Sequence, residues 1–410
     1  MPWTRPCKTL GQTVSGSTEP HRVLIAGGGV AALEAALALR ALAEKRVAVE
    51  LLAPEPAFAY RPLAVAEPFS AGEAHRFELA ALAGACGAAL HRGTLAAVEA
   101  DEHMAKTGEG FWFGYHSLLI ASGAVPVPAV PGALTFRGSE DAAAFRELLA
   151  ELASGAVERL VFAVPGGVVW PLPLYELALL TAAHLGGWST PGTELLLVTH
   201  EEAPLEIFGP RGSEAVRGVL EARGVSFRGG SYAVAAEAGL LRLVPGGEIP
   251  ADRVVALPRL RGAPPQGVPH DADGFVPTDL HGHADGLMDV YAAGDATAFP
   301  VKQGGIAAQQ AQAAAESIAA AAGAPVTPAP FRPVLRGLLL TGGASAFLRT
   351  ELWGGLWQES IVEPEPLWWP PGKIAGHHLG PFLAEREGLA LAGPPAGAVS
   401  LPIEVDLSSP

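Results

Sequence analysis

Short apolar runs bounded by glycine, proline or charge alternate along the chain with longer Ala- and Leu-rich stretches. The first run, Val23 to Ile25, passes through Gly27, Gly28 and Gly29 straight into VAALEAALALRALA, which reads as a helix. RVAVELLAP (Arg46 to Pro54) is the next strand pattern. A second series begins at about residue 135: AAFRELLAELA reads as helix, ERLVFAV as strand, YELALLTAAHL as helix, TELLLVTH as strand and SEAVRGVLEARGV as helix. RVVALP and VYAAGDA add two more strands, the last leading into an Ala-rich helix within VKQGGIAAQQAQAAAESIAA. Continuous apolar strands alternating with helices predict an α/β fold with parallel sheets and helical crossovers. Beyond about residue 326, the proline-rich APVTPAPFRP opens a C-terminal segment dense in tryptophan.

The two glycine-bearing junctions carry the chemistry. Gly27 permits a tight turn after the first strand, Gly29 lets a diphosphate approach the backbone, and Ala32 lets helix and strand pack closely. A diphosphate would then sit on free N–H groups at the positive end of a helix. Alone, this pattern suits NAD, NADP or FAD. VYAAGDA, with Gly294 and Asp295, follows 268 residues after Gly27, and YHSLLIASGAVPVPAVPG (Tyr115 to Gly132), with Ser122 and Gly123, lies between.

These three stretches, in this order, resemble the pyridine nucleotide–disulfide oxidoreductase superfamily. The likeness is nearest to sulfide:quinone oxidoreductases, flavocytochrome c sulfide dehydrogenase flavoproteins and type II NADH dehydrogenases, and it spans roughly residues 21 to 325. The resemblance implies two Rossmann-like dinucleotide-binding domains, glutathione-reductase-like, with a C-terminal cap. It implies an FAD domain of residues 21–131 and 263–325, a second NAD(P)-binding-like domain of 132–262, a C-terminal domain of 326–410 and a loose tail of 1–20. Asp295 would hold the ribityl chain of non-covalent FAD. Arg61, in YRPL (Tyr60 to Leu63), and Ser122 with Gly123 would border the same site. Ala53 stands where relatives carry the acidic residue for the ribose, which leaves Glu50 within the strand and Glu55 in the loop after it; Glu55 is the better placed. Lys302, with Gly304 and Gly305, resembles the Pro-x-Lys-x-Gly stretch bordering the flavin, where a cation beside N1 would raise the reduction potential.

The second nucleotide fold lacks an ordinary cradle. Its turn, AVPGGVVWPLPLYELALL, is long, and Pro165, Pro171 and Pro173 have no N–H to offer a diphosphate. NAD(P)H is therefore disfavoured, although Glu201 and Glu202 after the next strand would suit an NAD ribose. Trp170 stands where sulfide-oxidising relatives place a cysteine, and the chain has only Cys7 and Cys86, the latter reading as a small core residue. Sulfide and disulfide chemistry are accordingly not expected. The resemblance implies transfer of two electrons from a small donor through FAD to a quinone or other acceptor. The alternatives are an NAD(P)H-dependent reductase and an FAD-binding interaction protein without catalysis.

Composition narrows this further. At 410 residues, 49% hydrophobic and 17% charged, the chain is long enough for two or three globular domains. A formal charge of −15 argues against nucleic acid as a partner. Two cysteines fit a reducing, cytoplasmic setting, and no uncharged apolar run reaches transmembrane length. Trp353, Trp357, Trp368 and Trp369 mark domain packing or a dimer contact or, as in quinone-using relatives, peripheral contact with the inner face of a membrane together with Lys373. The loop His281-x-His283, with Asp279 and Asp285, falls at a variable turn of the resembling family, so no metal site is read from it.

Overall fold

The computed structural model describes residues 19–186, 192–353, 356–357, 360–387 and 399–400. The amino-terminal tail (residues 1–18) and the side chains of Trp353 and Trp357 lie outside the described residues.

The chain enters as β1 (His21–Ala26), turns into α1 (Val30–Ala43), and continues through β2 (Val47–Ala53), β3 (Ala89–Arg92) and β4 (Ser117–Ile120). Next come β5 (Leu134–Thr135), α2 (Ala142–Ala153), β6 (Arg159–Ala163), α3 (Leu172–Gly186), β7 (Glu194–Val198), α4 (Gly209–Ala222), β8 (Val225–Arg228) and β9 (Arg253–Ala256). β10 (Val290–Ala292) and α5 (Gly304–Ala321) follow, then β11 (Val334–Leu339), β12 (Ala346–Trp353) and α6 (Leu379–Arg386).

Two five-stranded parallel sheets result. The first runs β10-β4-β1-β2-β3, and the second β5-β9-β6-β7-β8. In the first, chain order reverses between β4 and β1, which is where ligands bind in open α/β sheets. The architecture is the expected one, two Rossmann-like units with helical crossovers. The sequence pattern did not mark several short antiparallel pieces: Leu95–Glu99 with Met104–Thr107 and Trp112–Gly114, and Tyr232–Glu237 with Leu240–Val244 and Gly247–Pro250. Their strands are brief and half exposed, so they lack the continuous apolar runs that reveal parallel strands.

The first core is built from small residues. α1 and α5 pack on each other, and Ala32, Ala35, Ala36, Ala311, Ala314 and Ala315 are wholly buried. Alanine brings the two helix axes close, since interaxial distance follows side-chain size at the contact. Two glycines fit the strand ends to this core. A Cβ on Gly27, at φ +141°, would stand 2.2 Å from the Ala121 carbonyl oxygen. On Gly294, at φ +77°, it would stand 3.1 Å from Ala31 Cβ.

The carboxyl-terminal segment is tied onto this framework by a carboxylate inside α1. Glu34 is fully buried; its two oxygens accept hydrogen bonds from the backbone N–H groups of His378 and Leu379, each at 2.8 Å. It thereby caps α6 from another element, supplying the acceptors that the amides of a helix start lack. Burial pushes the Glu34 carboxyl up to about 7, against the pull of these amides.

Folded Glu34 therefore keeps a proton that the unfolded chain releases near its ordinary value of 4.5. Its contribution should make the protein lose stability as pH rises from about 4.5 to about 7. Glu34→Gln should lack that part of the slope. It should also be less stable by roughly 1–3 kcal/mol, because the amide NH2 can only donate where the second backbone N–H needs an acceptor oxygen. Urea melts of both proteins across this range measure the difference; parallel slopes would remove Glu34 as its source.

Candidate functional site

The turn between β1 and α1 is shaped to receive an anion. Gly29 caps α1 in an extended conformation (φ −92°, ψ −165°), and no side chain closes the helix end. A Cβ on Gly29 would meet nothing within 4 Å, whereas one on Gly28 would meet Leu79 at 2.7 Å. The open side of the turn is thus Gly29, facing the free amides of the first helical turn. Ala32 beneath it is fully buried. A dinucleotide diphosphate fits this cradle.

Asp295 follows β10, just past Gly294, whose N–H is held by Gln310 Oε1 at 2.9 Å. Among the described residues nothing hydrogen-bonds the Asp295 carboxylate. Burial raises its pKa, offset by Lys302 and Arg61. An acceptor without a protein partner at the carboxyl end of a parallel sheet suits the hydroxyls of a ribityl chain. Gln303 caps α5 by accepting from Ile306 N at 2.8 Å, which leaves the Gly304 and Gly305 amides at the helix start unused by the cap.

These elements open onto a cavity of about 460 Å³ whose walls include Arg61, Trp170, Glu176, Lys302, Gly304, Arg336 and Lys373. Lys302 Nζ donates to the backbone carbonyls of Asp295, at 3.2 Å, and Thr297, and stands 3.7 Å over the Phe275 ring. Burial pulls its pKa down to about 8, with Asp295 and Asp271 pulling the other way. Trp170 packs against Phe208 with ring centroids 5.9 Å apart and planes inclined at 58°. Cys86 is buried in the first core, its thiol pushed up to about 12 by burial.

The deepest charges in the cavity wall were not singled out as a pair by the sequence. Lys373 Nζ lies 2.6 and 2.7 Å from the two oxygens of Glu176, and 3.1 Å from the Pro62 carbonyl oxygen. Glu176 also accepts from Leu340 N at 2.9 Å. Burial raises the Glu176 pKa while Lys373 opposes the shift. Lys373 is therefore not a membrane-facing lysine: its side chain is 6% exposed and neutralises a carboxylate that is 0% exposed. Trp368 is likewise interior, with its Nε1 donating to the Gly372 carbonyl at 2.9 Å. Among the described residues no helix is long and apolar enough to cross a membrane.

One signal for both anchors was present. Glu34 is the only charged residue between Arg22 and Arg40, and Glu176 the only one between Arg159 and Glu194. A lone carboxylate in an apolar helix is too costly to bury without a specific partner.

The groove of the second fold is occupied by its own side chains. The ring of Tyr232 lies 3.1 Å from where a Cβ on Gly166 would be, and it stacks on His200 with centroids 5.3 Å apart. Arg259 donates to the Gly166 carbonyl through Nε and Nη2 at 3.2 and 3.0 Å. Glu201 does not present a free carboxylate for a ribose. It is 3% exposed and accepts hydrogen bonds from the Tyr175 and Thr199 hydroxyls at 2.7 and 3.0 Å. Sequence gives the acid its place after the strand but not its rotation into the core.

The remaining residues sort by position. Arg61 is exposed at the cavity wall. Ser122 is exposed just beyond β4, and Gly123 follows at φ +72° with open space where a Cβ would be. Glu55 is exposed in the loop after β2, while Glu50 stands 2.8 Å from His91. Asp279 Oδ1 accepts from the backbone of His281 and His283, organising a turn. Among the described residues no group of three or more His, Cys, Asp or Glu is arranged to hold a metal ion.

A sulfide:quinone oxidoreductase from the hyperthermophilic bacterium Aquifex aeolicus has a similar fold, with a TM-score of 0.73 at 19% identity, covering 84% of this chain and 86% of that one. A ferredoxin reductase from Rhodopseudomonas palustris superposes with a TM-score of 0.60, also at 19% identity, over 81% and 83% of the two chains. A sequence search of curated proteins finds no match. A scan against protein families matches residues 21–317 to the family described as pyridine nucleotide-disulphide oxidoreductase. By that match over most of its length, the chain belongs to the pyridine nucleotide-disulphide oxidoreductase family and is an oxidoreductase of the flavin type, with FAD as its cofactor.

Proposed function

We propose that the protein passes two electrons from a small donor, through non-covalently held FAD, to a quinone or similar carbonyl acceptor without cysteine chemistry. The observation that carries this reading is the buried Glu176–Lys373 pair in the cavity that Lys302 and Gly304 also line. Reduction of a carbonyl acceptor consumes protons, and a buried acid–base pair at the same cavity can supply them where water is excluded. When bound, FAD supplies the two-electron chemistry; the chain binds, orients and tunes.

On this reading residues 21–131 with 263–325 form the FAD domain, 132–262 a second fold whose groove is closed, and the segment from 326 a cap. The amides after Gly29 would hold the diphosphate, Asp295 the ribityl hydroxyls, and Lys302 with the Gly304 and Gly305 amides the electron-rich edge of the ring. Glu55 would reach the ribose, with Arg61, Ser122 and Gly123 flanking. A quinone acceptor also accords with the Aquifex aeolicus neighbour. Donor chemistry through a thiol is disfavoured because no described cysteine lines the cavity.

The purified protein should be yellow, and acid precipitation should leave the flavin in the supernatant. Gly29→Val and Asp295→Ala should each lose most bound FAD, the first by blocking diphosphate approach and the second by removing the ribityl acceptor. Stoichiometric flavin in both variants would overturn this placement.

Lys302→Met should make the flavin harder to reduce, since a cation stabilises the negative charge that reduction adds. A charge interaction in a partly buried site is worth a few kcal/mol, and about 30 mV corresponds to 1.4 kcal/mol for a two-electron couple. Spectroelectrochemistry should therefore record a midpoint lower by some tens of millivolts. An unchanged or raised midpoint would place Lys302 elsewhere.

The acceptor is tested on photoreduced protein under anaerobic stopped flow. A water-soluble quinone should reoxidise the flavin rapidly, more slowly in Glu176→Gln, while NADH should bleach the oxidised protein slowly or not at all. Rapid, saturable bleaching by NADH would mean that Tyr232 leaves the Gly166 turn on binding, and the protein would then be an NADH-dependent reductase.

A further inference from the structure

The cavity wall contains an arginine, Arg336, whose guanidinium has no hydrogen-bonded carboxylate among the described residues. Arg336 on β11 pairs directly across the sheet with Arg349 on β12, so two guanidinium groups face each other in an antiparallel pair. Like charges directly opposite destabilise a sheet. One carboxylate is near, Glu351, and it is taken by Arg349 Nη2 at 2.6 Å. Arg349 Nε, moreover, is buried without a partner. Among the described residues these three groups sum to one net positive charge.

Arg336 lies in the cavity wall beside Gln303, whose Nε2 holds the Arg336 carbonyl at 3.0 Å. No described acceptor hydrogen-bonds its guanidinium. Burial, with Arg349 alongside, lowers its pKa to about 10, against Glu351. A largely buried cation without a counter-charge costs free energy unless something supplies one. The cavity's carboxylates cannot do so. Glu176 is held by Lys373, Asp273 by Arg261 at 2.7 Å, and Asp271 Oδ1 by the backbone amides of Asp273 and Phe275.

We propose that the cavity binds a small organic carboxylate, with Arg336 as the residue that anchors its oxyanion. This rests on the reading of the cavity as the substrate site and names the chemical class of what enters it. The planar guanidinium presents a fork that matches a carboxylate with two parallel hydrogen bonds. Trp170, Phe299 and Leu338 give the rest of the molecule an apolar surface, leaving its reactive end to face the ring that Lys302 and Gly304 would border.

The test uses FAD-loaded protein, isothermal calorimetry and the flavin difference spectrum, with benzoate as probe and benzamide as its neutral counterpart of similar shape. Wild type should bind benzoate at least about tenfold more tightly than benzamide, as expected for a bidentate charged contact. Arg336→Met should abolish that preference while leaving benzamide binding in place, and Arg336→Lys should restore part of it. Equal binding of the two probes by wild type overturns the proposal without recourse to any variant, as does a preference that persists in Arg336→Met. The electron-transfer reading fails separately. A protein that prefers benzoate through Arg336 but reduces no quinone loses only the acceptor assignment, and one that reduces quinone but ignores the carboxylate loses only this one.

Discussion

Two buried carboxylates hold the site together. Glu34 in α1 and Glu176 in α3 each stand in a helix otherwise almost free of charge, and each is satisfied by the same stretch of the C-terminal segment. Glu34 takes the amides of His378 and Leu379, and Glu176 takes the ammonium of Lys373. Either carboxylate left alone in an apolar helix would destabilise the fold by several kcal/mol. The segment from Lys373 to Leu379 is therefore part of both cores, one anchor reaching the helix beside the first sheet and the other the helix beside the second. Tyr60 adds a third tie, its hydroxyl accepting from Ile374 N at 2.9 Å. A cap fastened at three points fixes one wall of the cavity, and preorganised walls are what electrostatic tuning of a bound group requires.

The small side chains serve the same end. The Ala-rich faces of α1 and α5 let the helix starts approach each other, and both starts point free amides toward the carboxyl edge of the first sheet. Larger residues on those faces would move the two positive helix ends apart and separate the diphosphate cradle from Lys302. Composition here has a geometric consequence: the abundance of alanine sets the spacing of the two electropositive ends.

How much of this was legible follows from the kind of signal each feature leaves. The parallel strands β1, β6, β7 and β10 are buried on both faces and write themselves as continuous apolar runs, so their order was readable. The glycines were readable because a turn with φ above zero at Gly27 or Gly294 admits little else. The inward rotation of Glu201 was not, since the run TELLLVTH gives the end of the strand and leaves the next residue's rotamer to Tyr175 and Thr199. Nor was Lys373, whose surroundings of tryptophan and proline read equally well as an interfacial patch. Its partner lies 197 positions away, and such pairing is set by topology rather than by local pattern. What the sequence does carry of both anchors is the lone charge of Glu34 and of Glu176, each a single carboxylate in an apolar helix.

The two grooves of the protein have diverged for a physical reason that the side chains make plain. In the first fold, the turn after β1 is open at Gly29, and among the described residues nothing hydrogen-bonds the carboxylate of Asp295 after β10. In the second, a tyrosine covers Gly166, an arginine takes its carbonyl, and Glu201, the first of two acidic residues after the strand, is bonded into the core while Glu202 is exposed. A groove that satisfies its own polar groups gains little from a nucleotide, because each contact made would replace one already present. A groove that leaves them unsatisfied gains the full value of every contact. The same criterion distinguishes the charges within the cavity. Lys373 is answered by Glu176 and fixed, whereas Arg336 faces Arg349 and has no hydrogen-bonded carboxylate among the described residues, so Arg336 is where binding of a ligand changes the free energy most.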